Sequence, residues 1–194
     1  MAKKKATKKT VAKKTTVKKA TKKVAATTKK AAPKATKKSG SKSYKLKVGD
    51  KVPEFSLPAT SGKTLSSAKL GQFVLYFYPK DNTPGCTLEG QDFARLLKDF
   101  EKTGTTVIGV SQDSVKSHES FRSKCGFPFD LISDEDGKLC KAFDVIQMKN
   151  MYGREFEGIE RSTFVVAGGS VKAEWRKVRV EGHAQAVLDF VKGL

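Results

Sequence analysis

Cys86 lies in a local pattern that favours a reactive thiolate. Thr83 suits the position before a helix, and Pro84 suits the first helical position, where its missing N–H costs nothing. These two residues place Cys86 at about the third position of a predicted helix. The free N–H groups and the positive end of the helix dipole favour a negatively charged sulfur there. The flanking Gly85 and Thr87 are not apolar, so we expect an accessible thiol rather than a small buried core residue.

The other thiols and the histidines give weaker signals. Cys86, Cys125 and Cys140 are separated by 39 and 15 residues, a spacing that fits no zinc site. We therefore predict no metal and no other cofactor. Cys140 lies on a predicted apolar helix face and is expected to be a core residue. His118 and His183 are isolated, and we expect them to face solvent or to lie at helix ends.

The elements that must position Cys86 alternate between strand and helix. The apolar run 73–78, ended by Pro79, predicts a strand buried on both faces, and an amphipathic helix follows it. Cys86 therefore follows the carboxyl end of a buried strand, where α/β sheets tend to place their sites. Further strands are predicted at 106–110, 131–132, 162–167 and 171–178, the last two joined by a hairpin at Gly168-Gly169, and further helices at 115–125, 139–143 and 184–194. This order predicts an α/β fold, a mixed central sheet with helices on both faces.

Several separated motifs resemble those of the peroxiredoxins. The pattern Pro79-x-x-x-Thr83-x-x-Cys86 looks like the peroxidatic motif, and the stretches 83–87, 133–137 and 158–164 are similar to the Q type, also called bacterioferritin comigratory proteins. The similarity covers about residues 46–194. It implies a thioredoxin-like fold and a thiol peroxidase that reduces hydrogen peroxide and organic hydroperoxides. The implied source of reducing equivalents is thioredoxin or a similar thiol reductant.

The resemblance also implies roles for individual residues. Cys86 would attack the terminal peroxide oxygen and become a sulfenic acid. Thr83 would orient the thiolate or the peroxide, Pro79 would shield the sulfur from bulk water, and Arg161 would supply a fixed positive charge. Glu89, one turn after Cys86, has two interpretations: it pairs with Arg161, or it is a solvated helix acid.

The residue that would resolve the sulfenic acid departs from the family pattern. Many Q-type members carry a second cysteine five residues after the first, where this sequence has Gln91. Another subgroup carries it on the next long helix, at a position that matches Arg122, and here Cys125 lies three residues later. Three explanations stay open. Cys125 resolves after some unwinding of its helix, which Gly126 would ease; Cys140 resolves; or an external thiol resolves the sulfenic acid and Cys125 packs in the core.

The positive charge of the chain is concentrated in its first residues. The 194 residues carry a formal net charge of +19, yet residues 1–42 contain 17 lysines and no acidic residue. Residues 43–194 retain 22 basic and 20 acidic residues. The early segment repeats Lys-Ala-Thr-Lys-Lys and has too little apolar area to offset its ordering entropy. We therefore predict a disordered tail over residues 1–43 and a domain over 44–194.

The tail resembles the lysine-rich tails of linker-histone-like proteins. Lysines without arginines or aromatic residues are expected to bind DNA phosphates with no sequence preference. The remaining composition excludes other classes: no apolar run is long enough to span a membrane, the start has no signal-peptide pattern, and three cysteines are too few for a disulfide scaffold. We expect a monomeric cytoplasmic protein, with the tail as a route to the nucleoid or the nucleus.

Two other functions compete with the peroxidase. A disulfide oxidoreductase would need a Cys-x-x-Cys motif, and here Thr83 occupies the first cysteine position. A nucleoid or chromatin protein would use the lysine tail as its active part, with the body as a scaffold or a redox sensor. A third interpretation of the tail is a solvated extension.

Overall fold

The computed structural model describes residues 46–151 and 153–194. The predicted tail over residues 1–43 and the boundary at residue 44 lie outside the described residues. In chain order the elements are β1 (Ser56–Pro58), β2 (Thr64–Ser66), a 3₁₀ helix (Ser67–Lys69), β3 (Gln72–Phe77), α1 (Pro84–Lys102), β4 (Thr105–Ser111), α2 (Val115–Cys125), β5 (Leu131–Ser133), α3 (Lys138–Ala142), β6 (Ile146–Met151), β7 (Arg154–Ile159), β8 (Ser162–Ala167), β9 (Ser170–Trp175) and α4 (His183–Lys192).

The central sheet has five strands in the order β5-β4-β3-β8-β9. Strands β3, β4 and β5 are parallel, whereas β8 is antiparallel to both β3 and β9. The predicted mixed sheet is therefore confirmed. Two small hairpins, β1–β2 and β6–β7, lie outside it and were not predicted. Strand β7 is largely exposed, so it lacks the apolar signal that marks a buried strand.

The hairpin between β8 and β9 turns at two glycines, as predicted. Gly168 and Gly169 have φ values of 59° and 71°. Both lie in the left-handed region that suits two-residue hairpin turns and that residues with a Cβ avoid. The second strand ends at Trp175, three residues before the predicted end.

Side chains of β3 alternate between two buried clusters, one on each face of the sheet. Phe73, Leu75 and Phe77 lie in one cluster with residues of α3, and Val74 and Tyr76 lie in the other with residues of α1, α2 and α4. The prediction of helices on both faces is confirmed. No helix in the described part of the chain is both long enough and apolar enough to cross a bilayer.

Candidate active site

Cys86 lies in the first turn of α1, beyond the carboxyl end of β3. The helix begins at Pro84 after the N-cap residue Thr83, and the N–H of Thr87 donates to the Thr83 carbonyl over 2.9 Å. The predicted third helical position is confirmed. The expected accessibility is wrong, because Cys86 is only 2% exposed and belongs to the buried cluster on the α1 face. The exposed residues before it, Pro84 and Gly85, do not report the burial of the sulfur.

Arg161 joins Cys86 to Glu89. It lies between β7 and β8, and its carbonyl accepts a hydrogen bond from the Val178 N–H over 3.0 Å. Its Nη2 donates to Sγ of Cys86 over 3.3 Å, and its Nη1 donates to Oε2 of Glu89. Glu89 is only 1% exposed, so the pairing interpretation is confirmed and the solvated-acid interpretation is wrong. One guanidinium thus bridges a buried sulfur and a buried carboxylate.

Burial has different net effects on the pKa values of Glu89 and Arg161. Burial raises the pKa of Glu89 from 4.5 to about 7, although the Arg161 guanidinium acts against it. Oε1 of Glu89 has no hydrogen-bond partner among the described residues. For Arg161, burial acts to lower the pKa, but the Glu89 carboxylate and the Cys86 sulfur outweigh it and raise the pKa. Arg161 is therefore the permanent charge beside the sulfur, whereas burial favours the neutral form of Glu89.

Thr83 and Pro79 lie on the loop that connects β3 to α1. Thr83 has the extended backbone of an N-cap, but its side chain makes no capping hydrogen bond. Its hydroxyl donates instead to the Lys80 carbonyl over 3.0 Å, so the oxygen lone pairs remain open to another donor. Asn82, just before it, has φ of 59°, which makes the turn tight. Pro79 is solvent-exposed on the same loop.

The three cysteines are free thiols on different parts of the fold. Cys125 is the last residue of α2, is half-buried, and packs against the cluster that contains Cys86. Gly126 ends α2 with φ of 68°, as predicted. Cys140 is fully buried on the opposite face of the sheet, which confirms a core residue, and burial together with the Asp134 carboxylate raises its pKa. Of the two other thiols, only Cys125 lies on the same face of the sheet as Cys86.

The sequence did not predict a buried polar network beside the loop between β3 and α1. The expectation that His118 faces solvent or ends a helix is wrong, because it is fully buried within α2. Its Nδ1 donates to a carboxylate oxygen of Asp81 over 2.9 Å, and the Tyr78 hydroxyl donates to the other oxygen over 2.8 Å. His118 has polar sequence neighbours and its partner is 37 positions away, so no local pattern marks the pair. His183 begins α4, as predicted, and its Nε2 lies 2.8 Å from Oγ1 of Thr163.

Metal binding finds no support in the described residues. Across 46–151 and 153–194, no group of three or more His, Cys, Asp or Glu side chains is arranged to hold an ion. The chemistry that this geometry allows is that of a buried sulfur nucleophile with a fixed cation beside it.

Comparison with known proteins decides the family. Residues 48–173 match the AhpC/TSA family. The Peroxiredoxin Bcp of Xanthomonas campestris pv. campestris is 56% identical over 143 residues, which cover 71% of this chain and 89% of that protein. The chain belongs to the AhpC/TSA family and is a peroxiredoxin. It is of the Bcp type, which is also the Q type, and it is a thiol peroxidase.

Solved structures agree with the fold of this peroxiredoxin. A structure of the X. campestris bacterioferritin comigratory protein, described with regard to its alkyl peroxide reduction activity, is 51% identical, covers 72% of this chain and 90% of its own, and superimposes with a TM-score of 0.69. PrxQ of Xylella fastidiosa, in a mutant form, is 45% identical, with coverage of 79% and 98% and a TM-score of 0.73. The expected thioredoxin-like fold is confirmed. The family match begins at residue 48 and does not include the lysine-rich residues 1–42.

Proposed function

We propose that Cys86 is the peroxidatic thiol and that the protein reduces hydrogen peroxide and organic hydroperoxides. The observation that carries this proposal is the hydrogen bond from Nη2 of Arg161 to Sγ of Cys86, at the start of α1. The thiolate attacks the terminal peroxide oxygen, so an S–O bond forms and the O–O bond breaks. The sulfur is oxidised to a sulfenic acid, the peroxide is reduced, and the leaving hydroxide or alkoxide takes a proton from water.

The neighbouring residues support this step in different ways. Arg161 stabilises the thiolate and the negative charge that develops on the departing oxygen. Because the Thr83 hydroxyl already donates its proton to Lys80, Thr83 accepts a hydrogen bond from the peroxide O–H and orients it. Glu89 holds one edge of the guanidinium and leaves the other for Cys86. For Pro79 we keep the role that the family resemblance implies, shielding of the sulfur from bulk water.

We assign resolution of the sulfenic acid to Cys125. The Cys125 thiol attacks the sulfenic sulfur, a disulfide forms, and water leaves with the hydroxyl and one proton. Cys125 lies at the end of α2, where Gly126 lets the last turn loosen. A reduced thiol of the thioredoxin kind then restores both cysteines. The competing route is direct attack by an external thiol on the sulfenic acid, without Cys125.

A coupled turnover assay tests these assignments. Thioredoxin, thioredoxin reductase and NADPH supply electrons, and peroxide consumption is followed for the wild type, Cys86→Ser, Cys125→Ser and Cys140→Ser. Turnover is expected to vanish in Cys86→Ser and to persist in Cys140→Ser, the matched control across the sheet. Loss of turnover in Cys125→Ser with one rapid oxidation retained supports resolution by Cys125. Full turnover in Cys125→Ser, sustained by the external thiol, rejects it.

A second function is proposed for the lysine-rich residues 1–42. Their 17 lysines without an acidic residue make them an electrostatic ligand for duplex DNA. Each phosphate neutralised steepens the log–log salt dependence by about 0.9, so binding falls sharply as salt rises. Binding to DNA would place the peroxidase at the nucleoid or in the nucleus of a cell. There it removes peroxide close to DNA. Gel-shift assays of full-length protein and of residues 43–194 test this, and equal binding by both rejects it.

We also propose that the protein acts as a monomer. The residues that meet at the site, Cys86, Arg161 and Glu89, all come from one chain. No second copy is needed to complete this arrangement. Sedimentation equilibrium across a range of protein concentrations tests the proposal, and a constant dimer mass contradicts it.

A further inference from the structure

Asp81 and His118 form a buried pair that ties the loop before Cys86 to α2. The Asp81 side chain is 2% exposed and that of His118 is fully buried. Nδ1 of His118 lies 2.9 Å and 3.1 Å from the two carboxylate oxygens of Asp81. Nε2 of His118 lies 3.1 Å from the carbonyl oxygen of Ile132 on β5. Both ring nitrogens therefore face acceptors, a carboxylate on one side and a backbone carbonyl on the other.

The surrounding groups complete the hydrogen bonding of this carboxylate. The Tyr78 hydroxyl donates to Oδ1 of Asp81 over 2.8 Å, and the Ser117 hydroxyl donates to Oδ2 over 2.7 Å. Burial acts to raise the pKa of Asp81, but the hydrogen bonds from His118, Ser117 and Tyr78 outweigh it and lower the pKa. Asp81 is therefore ionised. The backbone N–H of Asp81 donates to Asp113 over 2.9 Å, which fixes the loop a second time.

The pair joins the chain segments that precede the two thiols. Asp81 is five residues before Cys86, and His118 is seven residues before Cys125. Seven residues are two helical turns, so His118 and Cys125 share one face of α2. We expect disulfide formation to move the start of α1 or the end of α2, because Cys86 is almost fully buried in the first turn of α1 and Cys125 is the last residue of α2. The pair opposes this movement, since His118 links Asp81 and α2 to the Ile132 carbonyl on β5.

We propose that Asp81 and His118 are positioning residues whose buried hydrogen bond holds the loop between β3 and α1 against α2 in the reduced protein and limits the local opening that brings Cys86 and Cys125 together. The inference rests on the proposed function only for its redox consequence. The pair limits local opening of the loop and of α2 whichever thiol resolves the sulfenic acid. Since the pair favours the reduced form, its loss makes the disulfide relatively more stable.

Two experiments on the full-length protein test this role in His118→Gln, Asp81→Asn and the double variant. The matched control is His183→Gln, which removes a second buried histidine, one that contacts Thr163 on the central sheet rather than the loop. Amide hydrogen exchange of residues 79–90 and 115–125 reports local opening in the reduced protein. The reduction potential of the Cys86–Cys125 disulfide, measured against a thiol redox buffer, reports the preference for the reduced state.

The expected result is an increase of about tenfold or more in opening of both segments, since a buried hydrogen bond to a carboxylate is lost. The same tenfold change corresponds to a potential about 30 mV more negative. Each single variant also leaves a buried partner without its hydrogen bond, so the double variant should open less than either single variant but more than the wild type. The proposal is overturned if amide exchange of the two segments in the Asp81 and His118 variants equals that in His183→Gln. It is also overturned if the reduction potential of the disulfide is unchanged. If the wild type forms no Cys86–Cys125 disulfide, the assignment of Cys125 fails, and exchange alone decides the role of the pair.

Discussion

Removal of the Arg161 charge is expected to slow the first oxidation of Cys86 severely. Nη2 of Arg161 lies 3.3 Å from Sγ. Two unit charges at that distance attract by about 5 kcal/mol at an effective dielectric constant of about 20. Desolvation offsets part of this attraction. Loss of one placed donor to a developing anion costs about 2.7–4 kcal/mol. Arg161→Met should therefore lower the second-order rate constant for hydrogen peroxide by about 10²–10³.

Stopped-flow fluorescence or competition against a haem peroxidase measures this rate constant. Arg161→Lys should lose about tenfold, because a single ammonium cannot hold both the sulfur and Glu89 as the guanidinium does. The matched control is Arg176→Met, which removes a half-buried arginine that donates to Glu174 and to backbone carbonyls instead of the sulfur. Its rate constant should stay within about threefold of the wild-type value.

A double variant separates chemistry from stability. Arg161→Met leaves Glu89 buried without its cation, so the free energy of unfolding should fall. Adding Glu89→Gln removes the unpaired acid and should recover stability, but not the rate constant. A folded Arg161→Met that oxidises at nearly the wild-type rate refutes the reasoning, and so does recovery of the rate in the double variant.

Three further predictions concern stability and the other thiols. Gly90→Ala should lower the free energy of unfolding by about 1–3 kcal/mol in urea denaturation, because its Cβ would lie 2.3 Å from the Phe127 ring; an unchanged midpoint contradicts this. Burial and the charge of Arg161 lower the pKa of His183 to about 4 from 6.5. Wild-type stability should thus fall by up to about 3 kcal/mol from pH 6.5 to 4, relative to His183→Gln, since only the unfolded chain gains a proton there. Cys140→Ala should keep wild-type peroxide kinetics.

The sequence predicted the parts of the site that depend on local pattern. The apolar run before Pro79 predicted β3, and the Thr-Pro pair predicted the start of α1, because each signal lies within a few residues. Arg161 was found only through the family resemblance, since its contact with Cys86 joins residues 75 positions apart.

Other features could not be predicted, for physical reasons. The burial of Cys86 depends on the elements that pack over it, and its small polar neighbours gave the opposite impression. The Thr83 hydroxyl donates to the Lys80 carbonyl instead of capping α1, because the tight turn at Asn82 brings that carbonyl within reach. Strand β7 carries mostly exposed residues, so periodicity did not mark it.

The most direct test of the account is the location of the first oxygen atom that peroxide transfers. Reduced protein receives one equivalent of hydrogen peroxide, is trapped at once with a reagent for sulfenic acid, and is mapped by peptide mass spectrometry. We predict that the trapped sulfenic acid is on Cys86 and that Cys86→Ser forms none at Cys125 or Cys140. A sulfenic acid formed first on Cys125 or Cys140, or formed equally fast in Cys86→Ser, contradicts it.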